Sequence, residues 1–96
     1  MDESKPGKDF WDRADQIVGL ANDQCNDFKI GEVSSSLLYA AARFNSFVVG
    51  ANAVDAEEMK KEKGAAIEYF TEQYRKILDE NLQDYIENFE DYKTEN

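Results

Sequence analysis

Histidine is absent from the 96 residues of this chain. That removes the commonest general base and the commonest metal ligand. It excludes His-containing catalytic triads and the Glu-x-x-His pattern of helical di-iron proteins. Cysteine occurs once, as Cys25, so no intrachain disulfide can form. The single proline lies within the first eight residues, and no glycine or proline follows Gly64. Basic residues are scarce, with 11 against 21 acids and a net charge of −10. Such a balance argues against a nucleic-acid ligand, which needs a basic surface, and against an anionic membrane surface. A Gly-rich phosphate loop, a Cys pair and an EF-hand loop are all missing. These absences predict a protein that is not an enzyme, with no cofactor and no metal site.

Long apolar runs are missing too. Spanning a bilayer takes about 20 apolar residues, and Arg43 interrupts the best candidate. Residues 1–8 carry neither an apolar signal-peptide core nor a lipidation motif. The expectation is a cytoplasmic, acidic, soluble protein.

What remains is helical text. Hydrophobic residues make up 42% and aromatics 12%, too much for a disordered chain, and Glu, Ala, Asp and Lys are the commonest residues. We expect an all-α fold with a single domain over residues 9–92, between polar tails at 1–8 and 93–96. A chain of this length buries only about 60–70% of its unfolded surface, so a lone core is marginal.

In helix 1, expected over about residues 10–27, Asp9 reads as the N-cap and Asp9–Arg13 as an i,i+4 pair. Its stripe is Phe10, Ala14, Ile17, Val18, Ala21, Cys25 and Phe28. Cys25 therefore reads as a small buried hydrophobe. Residues 28–32 read as a turn with Gly31 as its breaker. Helix 2, Val33 to Ala51, is the most apolar segment. One face carries Val33, Leu37, Phe44 and Phe47 and should meet helices 1 and 3; a second strip of Leu38, Ala42 and Val49 needs another cover. Asp55 with Glu58 three residues on is a variant of the capping box and starts helix 3. Gly64 in that helix is compatible with a close helix approach.

Helix 3 has no punctuation, so it either runs on to near residue 90 or breaks near Asp79–Asn81 and folds back. Run through, it measures about 50 Å against about 30 Å for each of the others. Leu82, Tyr85, Ile86 and Phe89 would then overhang, and such a group should not face water. The fold expected is a three-helix hairpin or bundle with a long C-terminal helix, assembled as a homodimer. Those four residues are the candidate partner-binding set. The surrounding segment, Asp79 to Tyr92, carries acids and no bases, as a solvated face beside a packing face or as a docking helix for another protein.

Arg43 stands in the middle of the most apolar helix. A guanidinium there must be paired or must reach water. One reading is an ion pair with Asp15 or Glu72, or a side chain that snorkels. The other is an anion-ligand anchor, with Ser36 and Tyr39 as companion ligand-binding residues and Ser35 and Ser46 adding hydroxyls. The leading functional expectation is a non-enzymatic interaction or regulatory module. The alternative is a binder of small anionic molecules around Arg43 and Tyr39.

Three segments together, KDFWDRAD (8–15), SLLYAAARFNSF (36–47) and YFTEQYRKILDENLQDYIENF (69–89), resemble a family of short proteobacterial proteins, domain of unknown function 3144. The resemblance covers about residues 8 to 92. It implies an all-helical cytoplasmic bacterial protein and brings no activity, ligand or site residues.

Overall fold

A computed structural model describes residues 6–95, with side chains to residue 93. Four helices follow one another: α1 (Lys8–Gln24), α2 (Ile30–Ala51), α3 (Ala56–Glu87) and α4 (Phe89–Glu95). The fold is all-α, with three main helices and the longest of them third. The chain divides into two units between Phe47 and Val48. Residues 1–5 and Asn96 of the expected tails lie outside the described residues. The remainder of those tails is partly helical, because α1 starts at Lys8 and α4 runs to Glu95.

In the first unit, α1 starts two residues earlier than expected. Gly7, not Asp9, is the N-cap, in extended conformation and with no capping side chain. Asp9 sits inside the first turn, where its charge still suits the helix dipole. The expected Asp9–Arg13 pair is replaced by Lys8–Asp12 at 2.8 Å, the same i,i+4 spacing one residue earlier. α1 ends at Gln24, and Cys25 caps it. The peptide N–H groups of Asn26, Asp27 and Phe28 go on bonding three or four residues back, to Asp23 and Gln24. The connection thus keeps coiling instead of reversing, and α1 does not pack along α2. This overturns the expected burial of the α1 stripe: Phe10, Ile17, Val18 and Phe28 are exposed, and so is Cys25.

Gly31 is not a breaker. α2 begins at Ile30 and takes the glycine into its first turn, with no positive φ. The Glu32 carboxylate accepts from the Lys29 N–H at 3.2 Å, satisfying a donor at the helix entry. Val33 is the buried residue among those described, 5% exposed. The rest of its face is open. Phe44 and Phe47 touch each other at 5.6 Å between ring centroids, yet each is 64% exposed.

The second unit holds the end of α2, α3 and α4. Asn52 closes α2 by donating from its side chain to the Val48 carbonyl at 3.0 Å. A Cβ added at Gly50 would stand at ordinary van der Waals distance from the Met59 thioether, so the four-residue link 52–55 brings the end of α2 near the start of α3. α3 starts as the sequence predicts. The Asp55 carboxylate accepts from the Glu58 N–H at 2.9 Å, and the Glu58 carboxylate reaches back to the Val54 N–H at 3.2 Å, one residue before the usual target. From there 32 residues run without a break, about 48 Å, and Asp79–Asn81 are ordinary helix. A Cβ added at Gly64 would meet nothing within 4 Å, so the position is open and marks no close approach. The chain leaves helical geometry at Asn88, with φ −119° and ψ 29°.

Candidate functional site

The residues expected to hold an anion all lie on α2. Ser36, Tyr39 and Arg43 are spaced i, i+3, i+7, so they share one helix face, and all three are exposed. Tyr39 is 70% exposed. Within its own unit, and among the described residues, Arg43 has no carboxylate partner; Asp15 does not reach it. Glu72, the other expected partner, is held elsewhere. It forms a two-pronged contact with Arg75, at 2.8 and 3.1 Å. That contact pulls the Glu72 carboxyl below its ordinary range, chiefly through the hydrogen bond, and raises the Arg75 guanidinium.

The companion hydroxyls behave differently from expectation. Ser35 donates to the Gly31 carbonyl at 3.1 Å and Ser46 to the Ala42 carbonyl at 2.9 Å. A hydroxyl has one proton, so neither can donate to an anion without giving up its backbone bond. The face thus offers one guanidinium, the Ser36 hydroxyl and one phenol, all on a convex helix surface. Small-molecule sites bury most of their ligand in a concavity, which one helix face cannot supply. A depression on α3 has the same limit: residues Ala65 to Arg75 that border it belong to a single helix.

The expected partner-binding set sits at the other end of the chain. Leu82, Tyr85 and Ile86 lie in the last turns of α3, and Phe89 opens α4. All four are exposed, Ile86 by 67%. Tyr85 and Phe89 meet edge to face at 6.2 Å, so the structure brings two of the four into contact.

A cluster that sequence reasoning missed surrounds Asp84. Asn88 donates to it twice, to the backbone carbonyl and to the carboxylate, each at 3.0 Å. The Tyr92 hydroxyl donates to the other carboxylate oxygen. The Tyr92 ring stacks on Tyr85 at 4.4 Å and 8° between planes. Asp84, Asn88 and Tyr92 are spaced i, i+4, i+8, and that spacing was the available signal. The cluster clasps α4 to the end of α3. It leaves Asp84, one of the acids of the 79–92 segment, already occupied.

No described helix is long and apolar enough to cross a membrane. No group of metal-ligating side chains converges among the described residues.

Comparison with known proteins agrees with the fold and adds no chemistry. The chain is similar to a solved structure, the NMR structure of the protein NB7890A from Shewanella sp.. The two are 33% identical, with a TM-score of 0.75, over 95% of this chain and 97% of that one. No curated protein matches significantly. The family described as "Protein of unknown function (DUF3144)" matches residues 10–86, most of the chain. This chain therefore belongs to the DUF3144 family.

Proposed function

We propose that this protein is a non-enzymatic interaction module that works as a homodimer. One observation carries the reading: bulky apolar side chains stand open on every long helix while Val33 is the buried residue among those described. Covering one such side chain gains about 1.5–3 kcal/mol. Large apolar side chains exposed together on a helix face are what a binding face is made of.

Element lengths argue that a second chain provides the cover. At 1.5 Å per residue α1 is about 26 Å, α2 about 33 Å and α3 about 48 Å long. If the chain closed on itself as a three-helix hairpin, α2 would reach along α3 only to about Ile77. Leu82, Tyr85, Ile86 and Phe89 would remain beyond it. In this reading the homodimer presents its acidic surface to a further protein in the cytoplasm, a reducing compartment that suits a free thiol such as Cys25.

Sedimentation at micromolar concentration tests the reading. A dimer is expected, and Ile86→Asp should shift it toward monomer. A wild-type chain that stays monomeric overturns it.

A further inference from the structure

We propose that two copies of α2 pair antiparallel about a two-fold axis beside Leu38, so that Arg43 of each copy meets the partner's Glu32. The proposal rests on the homodimer reading and adds the contact that sets its direction.

Glu32 and Arg43 are the two charged residues of α2, and their signs are opposite. Their spacing of 11 residues is only about 20° beyond three full turns. Both charges therefore stand on one edge of the helix, about 16 Å apart along it. Beside that edge lie Gly31, Ser35, Leu38, Ala42 and Ser46, all small or apolar. Leu38, 58% exposed, and Ala42 belong to the strip that periodicity leaves in need of a cover.

Neither charge is used up. Arg43 has no carboxylate partner within its own unit among the described residues. Glu32 lends one oxygen to the Lys29 N–H and keeps the other. Asp27 and Lys29, just ahead of the helix, offset each other, so the entry of α2 is net negative. From Val33 to Ala51 the one charge is the positive Arg43. A parallel pair would set Arg43 on Arg43 and Glu32 on Glu32. An antiparallel pair centred between them sets each guanidinium level with a carboxylate, twice over. The two-fold axis keeps the charged edges of both copies on the same side. The ion pairs then run along one border of the contact, in reach of water, and avoid the cost of a buried charge. Leu38 meets the partner's Leu38 beside the axis, and the small residues around it let the backbones approach. The face is complementary to itself, as an isologous contact requires. Symmetry supplies both charges at the needed spacing, which selects a second copy over an unrelated helix.

Magnitudes define what this contact does. Centred there, two helices overlap over residues 30–45, about 24 Å, and a face about 10 Å wide covers about 500 Å² between them. Stable interfaces cover about 1,200–2,000 Å². The α2 contact thus sets direction and register, while apolar side chains open on α1 and α3 supply the remaining area. Exposed ion pairs are individually weak, but one reversal turns both from attraction to repulsion.

The test is a charge swap. Glu32→Arg alone and Arg43→Glu alone should each raise the dimer dissociation constant about tenfold. The chain carrying both changes should return to within about threefold of wild type. Loss of the Glu32 contact at the helix entry is not repaired by a change at residue 43, so recovery reports the pairing itself. Circular dichroism confirms that the helices persist. In a Cys25→Ser background, Leu38→Cys should give a disulfide-linked dimer under mild air oxidation, whereas Phe44→Cys, on the far side of α2, should not. These two chains keep both charges, so they decide the matter even if a charge variant fails to fold. A dimer that ignores the single reversals, is not restored by the swap, or links as fast through residue 44 as through residue 38 overturns the pairing and leaves the homodimer standing. A monomeric wild type overturns both and leaves this face to a different protein.

Discussion

α2 and α3 are helices made in opposite ways. α2 carries two charges, Glu32 and Arg43, and β-branched or aromatic residues through much of its length. Its entry lacks a Ser, Thr, Asp or Asn cap, and two of its serines turn back onto their own backbone. Its middle, Leu37 to Arg43, holds good helix formers, but its apolar faces still call for cover. α3 is almost half charged and is supported from within. It has a reciprocal cap at Asp55 and Glu58, a two-pronged Glu72–Arg75 pair, and a clasp around Asp84 at its far end. One helix leaves its apolar faces open for cover, and the other is supported by its own side chains.

The sharpest way to break that contrast is Val33→Ala. Val33 is the buried residue of α2, and losing two methyl groups there should cost about 1.5 kcal/mol. Urea unfolding measures the cost; a loss under about 0.5 kcal/mol would show that α2 does not depend on burial. Next comes Asp55→Ala, which leaves the Glu58 N–H without its acceptor. A loss of about 1 kcal/mol is expected, with amide exchange accelerated in the first turn of α3 and not in α2. Gly64→Ala should act in the other direction. The position is open and helical, so stability should rise by about 0.5–1 kcal/mol, seen as a higher urea midpoint.

The smallest effect concerns Glu72. Its carboxyl lies below the ordinary range because Arg75 bonds to it. A carboxyl depressed on folding contributes stability that is fully present above its unfolded pKa and is lost as pH falls through the folded value. The pair is exposed, so the effect is slight. An NMR titration of the Glu72 carboxyl should move toward the ordinary range in Arg75→Gln. If it does not, α3 draws no support from this pair.

The contrast also explains what could be read before the structure. The start of α3 was legible because Asp55 and Glu58 act over three residues. Its continuity was only half legible: nothing after Gly64 punctuates the helix, but a break near Asp79–Asn81 stayed open until the structure showed helix there. The starts of α1 and α2 were not. Asp9 looks like a cap because an aromatic pair follows it, but an acid serves a first turn as well as a cap. Gly31 looks like a breaker, but glycine costs about 1 kcal/mol in a helix interior, and Glu32 secures the entry beside it. The shared face of Ser36, Tyr39 and Arg43 followed from spacing alone. The direction of the Ser35 and Ser46 protons did not, because it depends on a rotamer choice between solvent and the preceding turn. Exposure of the α1 stripe was likewise illegible: periodicity says which residues want cover and not whether the connection delivers it.

Those two serine protons have a consequence for α2 as a whole. A hydroxyl taken into an oily environment normally leaves its donor stranded. Ser35 and Ser46 carry their acceptors with them, on the helix they belong to. Their side of α2 can lose its water without stranding either proton. The most apolar helix of the chain is therefore more apolar in behaviour than in composition, and its serine-bearing flank is as ready for contact as its phenylalanines.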